Sequence, residues 1–94
     1  MELTKSAKGS ISMIYKMYMD RQKSGVSKGV AARFESKERP NGISQDIPEL
    51  KSAGLISTDV LGGIELKPQG IIYMENQTAD TIKEWLSFFS KFIP

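Results

Sequence analysis

The sequence predicts a single, mainly helical α+β domain that contains a small β-hairpin. Its 94 residues are 39% hydrophobic, which suffices for one core but not for two. Residues 46–73 have the pattern of a helix, a hairpin and a second helix, and residues 78–93 carry an apolar stripe at helical spacing. The expected order over residues 1–94 is helix, helix, helix, strand, strand, helix, helix.

The first predicted helix covers residues 4–23. Ile11, Ile14 and Tyr18 recur at helical spacing, and Gly25 follows at the position where a left-handed residue often ends a helix. Additional methionines widen the apolar face. Such a face is more often core, although it is also typical of an adaptable binding groove.

A second, short helix is predicted from Lys28 to about Ser36. Ser27 is a suitable N-cap, and the predicted buried side chains are Val30, Ala31 and Phe34. The charged segment 36–42 that follows reads as a loop because it contains Pro-Asn-Gly.

The third helix is expected to begin at Ser44 or Asp46. Asp46 and Glu49 fit a variant capping box, in which each side chain accepts from a backbone N–H of the first turn. The helix should end at Ser52 or Ala53, because a glycine comes next.

The segment after this helix predicts a hairpin and another helix. Loosely alternating residues 55–60 and the short run 64–66 flank Leu61-Gly62-Gly63, and paired glycines between apolar segments favour a turn. Pro68 is suited to the first turn of a fourth helix, which Asn76 can end.

The last predicted helix is strongly amphipathic. It either closes the core or leaves an aromatic patch for a second copy or another protein. The candidate interface residues are Trp85, Phe88, Phe89 and Phe92.

Composition excludes several classes of chemistry. The chain has no cysteine and no histidine, so disulfides, thiolate catalysis, zinc fingers and Ser-His-Asp triads are ruled out. Its carboxylates lack metal-loop spacing, and its glycines form no phosphate loop. We therefore expect no enzyme, no metal and no cofactor. The absence of a long apolar run and of a signal peptide predicts a cytoplasmic protein without membrane contact.

The charge is distributed unevenly. Residues 1–42 hold nine Lys and Arg against four Asp and Glu, whereas residues 43–94 hold four against seven. This asymmetry indicates either a face for a polyanion or acidic partner, or simply an uneven solvated surface.

The segments PELKSAGLIS and GGIELKPQGIIYME resemble the winged helix-turn-helix fold of small bacterial and phage proteins. Leu50, Gly54 and the following Leu-Ile match the end of that fold's third helix, and Gly70 and Tyr73 match the start of the helix after its wing. The whole layout is similar to the YjcQ-like group of small winged-helix proteins.

This resemblance implies a transcriptional regulator that binds double-stranded DNA with its third helix in the major groove. By position, the groove contacts would come from Ser44, Gln45, Glu49 and Lys51, with Gln45 suited to adenine and Lys51 to phosphate or guanine. Asp46 and Glu49, however, place negative charge where phosphate would lie.

The phosphate contacts are therefore expected from basic residues around the second helix and the loop after it. These residues are Lys23, Lys28, Arg33, Lys37 and Arg39. The alternative function is a non-enzymatic protein-interaction module that uses the same frame without DNA. Its aromatic C-terminal helix would then bind a second copy or another protein.

Overall fold

The computed structural model describes residues 2–77, which form an α+β fold of four α-helices and a three-stranded antiparallel sheet. The first helix, α1, spans Lys5–Lys23 and confirms the prediction. The hydroxyl oxygen of Thr4 accepts the N–H of Ala7 at 3.2 Å and so caps its start. Gly25, with φ of 94°, lies just beyond its end in the left-handed conformation.

The core is built on one face of α1. Ile11 and Ile14 are fully buried, and Tyr18 is nearly so. Met13, which was expected to widen this face, is 43% exposed, and Met19, which was expected on the face itself, is 39% exposed. The core side of α1 is thus narrower than the sequence suggested.

The second helix, α2, spans only Lys28–Ala31, so the prediction that it runs to Ser36 was wrong. The chain instead extends into a two-residue strand, β1, at Arg33–Phe34. Pairing with a strand some thirty residues later outweighs local helix propensity there, because it buries Phe34. Val30, expected in the core, is 62% exposed.

The third helix, α3, spans Ile47–Ser52. A 3-10 turn at Ser44–Asp46 leads into it, and another at Ser36–Glu38 lies in the predicted loop. The predicted end of α3, at Ser52 or Ala53, is confirmed. Gly54 follows with φ of 77°. Residues 32–46 separate α2 from α3, so these two helices are not joined by a short turn.

The predicted hairpin is confirmed, and it belongs to a sheet with a third strand. Strands β2, Ile56–Thr58, and β3, Ile64–Leu66, pair antiparallel, and β1 pairs with the other side of β3. Ile64 and Leu66 face the core whereas Glu65 faces outward. The sheet therefore has the order β1-β3-β2, with one buried face.

The fourth helix, α4, begins at Pro68 as predicted and continues through residue 77, beyond the expected end at Asn76. Gly70 allows this helix to lie directly on the sheet. A Cβ atom there would collide with the carbonyl oxygen of Leu55 and come within 2.8 Å of the Cδ1 atom of Leu66. The predicted C-terminal helix and its aromatic residues lie outside the described residues.

Candidate functional site: the α3 face and the hairpin groove

The outward face of α3 and its preceding turn is polar, and none of its fully exposed residues is an acid. Its exposed residues are Ser44, Gln45, Pro48, Lys51 and Ser52. Three of them are predicted DNA contacts, and the structure places these three together. Of the two acidic residues of the segment, Asp46 is buried and Glu49 is half-buried.

Asp46 is buried and turned toward α1. Its Oδ2 atom accepts hydrogen bonds from the hydroxyl groups of Ser6, at 2.8 Å, and Ser10. It makes no capping hydrogen bond to the start of α3, so the predicted capping box was wrong. The hydroxyl groups of α1 satisfy this carboxylate instead, and they tie α3 to α1.

Glu49 also faces α1. Its two carboxylate oxygens accept from the backbone N–H of Thr4, at 2.7 Å, and from the Thr4 hydroxyl, at 2.8 Å. This position at the N-terminus of α1 favours negative charge because the first N–H groups of a helix carry partial positive charge. Asp46 is therefore withdrawn from the surface, whereas Glu49 stays half-buried at its edge.

Gln45 and Lys51 are exposed on either side of the inward-facing acids. The Nε2 atom of Gln45 donates to the hydroxyl of Ser6 at 3.3 Å, which is a long contact. Lys51 forms no ion pair with any residue between 2 and 77. Both side chains are positioned to meet a ligand from solvent.

Arg39 connects α3 to the hairpin. Its Nη1 atom donates to the carbonyl oxygen of Gly62 at 3.0 Å, and its Nη2 atom donates to the hydroxyl of Ser44 at 2.9 Å. This predicted phosphate contact therefore braces two elements with one guanidinium. It holds the hairpin turn beside the first turn of the α3 segment.

The hairpin turn is held by its own aspartate. Asp59 Oδ1 accepts from the N–H groups of Leu61, at 2.8 Å, and Gly63, at 3.0 Å. Gly62 takes φ of 86°, which the turn requires and which side chains disfavour. The result is an ordered turn whose Val60 and Leu61 side chains are 101% and 84% exposed.

A groove of about 940 Å³ lies between this turn, the outer side of the sheet and the segment after α2. Apolar side chains on its wall include Val26, Val30 and Leu61. Three cationic and four anionic side chains line the rest. They are Arg21, Arg33, Glu35, Lys37, Glu38, Asp59 and Glu65.

Arg21 organises the groove, a role that the sequence did not reveal. Its Nη1 atom donates to the carbonyl oxygen of Arg33 at 2.6 Å, and its Nη2 atom pairs with Glu38 Oε2 at 2.9 Å. Its guanidinium carbon lies 4.3 Å from the ring centroid of Phe34. Because the Arg33 carbonyl belongs to an edge strand, Arg21 also blocks that sheet edge.

The electrostatic environment of Glu38 favours its ionised form. The backbone N–H of Glu35, hydrogen-bonded at 2.9 Å, lowers the pKa of the Glu38 carboxyl, and the charges of Arg21 and Lys37 lower it further. Glu38 is therefore better suited to bracing Arg21 than to proton transfer at neutral pH.

Two further predicted phosphate contacts lie on the groove in loose ion pairs. Arg33 Nε is 3.8 Å from Glu65 Oε2, and Lys37 Nζ is 3.9 Å from Glu35 Oε2. All four side chains are about half exposed or more. Pairs of this kind contribute little stability and can exchange partners.

Lys23 and Lys28 lie far from the α3 face. Lys23 is in the last turn of α1, whereas Gln45 contacts Ser6 in its first turns. At about 1.5 Å per residue, Lys23 is roughly 25 Å along the helix from Ser6. The predicted DNA contacts therefore do not form one compact site.

Lys5 and Lys8 are two further exposed cations, which were not among the predicted contacts. They flank Ser6, the residue that both Asp46 and Gln45 contact. The basic character of residues 1–42 was the available signal, but the pairing of α3 with the start of α1 was needed to use it.

Among residues 2–77, no group of Asp and Glu side chains is arranged to hold a metal ion. The helices in that range also lack the length and apolar character of a membrane-spanning segment. Comparison of the chain with protein-family models, with curated proteins and with solved structures finds no match in any of the three.

Proposed function

We propose that this protein is a non-enzymatic, double-stranded DNA-binding protein whose contact surface is the outward face of α3. The observation that supports the proposal is that Asp46 is buried against α1 and that Glu49 is hydrogen-bonded to Thr4. Ser44, Gln45 and Lys51 are then exposed beside one half-buried carboxylate, that of Glu49. A polyanion can approach such a face without meeting an exposed acid on it.

The roles of the side chains follow from their chemistry. An exposed amide such as Gln45 can pair with the N6 and N7 atoms of adenine, whereas Lys51 can meet a phosphate or guanine. Ser44 is suited to either phosphate or a base edge. Arg39 acts as a brace that keeps the hairpin beside this face.

The proposed surface is smaller than the set of residues that the sequence suggested. Lys5 and Lys8 extend it along α1, because they flank the serine that α3 contacts. Lys23 lies at the other end of that helix, and Lys28 begins α2 beyond it. In this proposal they contribute only long-range attraction, which salt screens.

Fluorescence anisotropy with a labelled random-sequence duplex tests the proposal at two salt concentrations. Lys51→Ala should weaken binding uniformly across sequences and reduce the salt slope by about 1, as expected when one phosphate contact is lost. Gln45→Ala should instead narrow the difference in affinity between DNA sequences.

Lys16→Ala is the matched control for Lys51→Ala, because both remove one exposed positive charge. The control should leave the salt slope nearly unchanged. Equal losses in the two variants would mean that net charge alone drives binding. Absence of binding at low salt would reject the DNA-binding function.

A protein-interaction module is the second candidate. It is favoured by the two exposed aliphatic side chains at the hairpin turn, Val60 and Leu61, which polyanion binding does not require. The aromatic residues predicted for the same role, Trp85 to Phe92, lie outside the described part of the chain. A wild-type protein that self-associates but does not bind DNA would support this second function.

A further inference from the structure

We propose that the hairpin groove is a homodimer interface, in which the Val60-Leu61 turn of each copy packs into the groove of the other around a two-fold axis. The proposal does not depend on DNA binding. It rests on the exposed apolar turn, on its rigidity and on the charge pattern of the groove beside it.

The apolar side chains of the turn and the groove lie on one continuous surface. Leu61 belongs both to the turn and to the groove wall, and Val30 lies on that wall as well. With Val60, they are the three most exposed large aliphatic residues between residues 2 and 77. Burial of such side chains against a partner is favourable because it removes apolar area from water.

The turn is fixed before any partner arrives. Asp59 accepts two N–H groups of the turn, and Arg39 donates to the carbonyl of Gly62. A surface that is already ordered loses little conformational entropy on association. The exposed Val60 and Leu61 are therefore presented in one defined geometry.

The charges of the groove favour a second copy over a polyanion. Arg21 and Glu38 satisfy each other, and Asp59 is held within its own turn. The remaining charged side chains are two cations and two anions in loose, exposed pairs: Arg33, Lys37, Glu35 and Glu65. A two-fold interface requires a self-complementary surface, and this balanced set can exchange partners with its symmetry mate.

The geometry of the sheet directs docking to side chains rather than to backbone. The outer edge of β1 is blocked, because Arg21 donates to the Arg33 carbonyl there. A second copy therefore cannot extend the sheet at that edge. The open groove and the apolar turn remain as the complementary features.

Sedimentation equilibrium of the full chain tests the proposal without DNA. The wild type should associate reversibly between about 10 μM and 1 mM, as expected for an interface with few apolar residues. Leu61→Asp should shift the protein to monomer at every concentration, because it places a charge in the apolar contact.

Ile72→Asp is the matched control, since Ile72 is 55% exposed on α4 and does not line the groove. Circular dichroism checks that both variants are folded. The control should dimerise as the wild type does. A wild type that stays monomeric to about 1 mM, or a dimer that Leu61→Asp leaves intact, overturns the proposal.

A charge exchange gives an independent readout. Arg33→Glu makes the groove negative and Glu65→Arg makes it positive, so each variant alone should dimerise less than the wild type. An equimolar mixture of the two should form heterodimers that salt weakens. If each variant dimerises as strongly as the mixture, the groove is not the interface.

Discussion

The α3 face and the hairpin groove lie on either side of Arg39, and they orient their side chains in opposite ways. On α3, the carboxylates of Asp46 and Glu49 turn inward and are satisfied by α1. In the hairpin, the aliphatic side chains of Val60 and Leu61 turn outward. One surface is polar with a single half-buried acid, whereas the other carries exposed aliphatic side chains among charges of both signs.

This difference indicates that the two surfaces suit different partners. A polar face without a fully exposed acid is compatible with a polyanion. An apolar turn beside loose, exposed ion pairs is better matched by protein, and in particular by its own copy. The following predictions test the contacts that maintain each surface.

The largest effect is expected at the α3 side. Asp46→Ala should lower the free energy of unfolding by about 3 kcal/mol, because it removes a charged acceptor from two serines and leaves the Ser10 hydroxyl buried without it. Chemical denaturation measures this. Asp20→Ala, at an exposed α1 position, is the control and should change stability little. Equal effects would mean that Asp46 is not anchored inward.

The hairpin depends on the contact between α4 and the sheet. Gly70→Ala should lower stability by about 2 kcal/mol, because the added methyl group collides with the Leu55 carbonyl oxygen and crowds the Leu66 side chain. Gly9→Ala is the matched control. Gly9 lies in α1 with open space around it, so alanine should stabilise by about 0.5–1 kcal/mol. Thermal melts should therefore show a lower Tm for Gly70→Ala and a higher Tm for Gly9→Ala than for the wild type.

On the groove side, Arg21→Ala should lower stability by about 1.5 kcal/mol, since a hydrogen bond to the Arg33 carbonyl, an ion pair and a cation–π contact are lost. Arg21→Lys should recover only part of this, because an ammonium cannot bridge the Arg33 carbonyl and Glu38 as the guanidinium does. Full recovery by lysine in a denaturation experiment would show that charge alone matters.

Several elements were predictable because their signals are local. Gly25 and Gly54 end helices, and Pro68 begins one, through backbone conformations that neighbouring residues specify. The Gly62-Gly63 turn was predictable in the same way, from its paired glycines. These features fixed most of the element order between residues 2 and 77.

The remaining features depend on partners that are distant in sequence. Strand β1 has two residues and forms only because β3 lies beside it. The orientation of Asp46 depends on serines about forty residues earlier, and no spacing within α3 reveals them. For the same reason, Arg21 could not be recognised as the organiser of the groove. Local capping rules therefore gave the wrong role for Asp46.

The smallest predicted effect is a change in the stability of the fold at acidic pH. Because the Glu35 N–H and nearby cations lower the pKa of Glu38, its ionised form stabilises the fold above the ordinary carboxyl pKa near 4.5. That contribution is lost as the pH falls through the lower folded-state value. Glu38→Gln should therefore lose less stability than the wild type on acidification below about pH 4.5. Glu2→Gln, at an exposed position, should follow the wild type in the same series of denaturation curves.

The most direct test of the two-surface account is backbone amide shift mapping of the full chain by NMR. Addition of duplex DNA at about 50 mM salt should shift residues 44–52 and leave Val30 and Glu65 unchanged. Dilution of the protein without DNA should shift Val30, Leu61 and Glu65 and leave residues 44–52 unchanged. If the same residues respond to both treatments, or if DNA shifts only the groove, the account is contradicted.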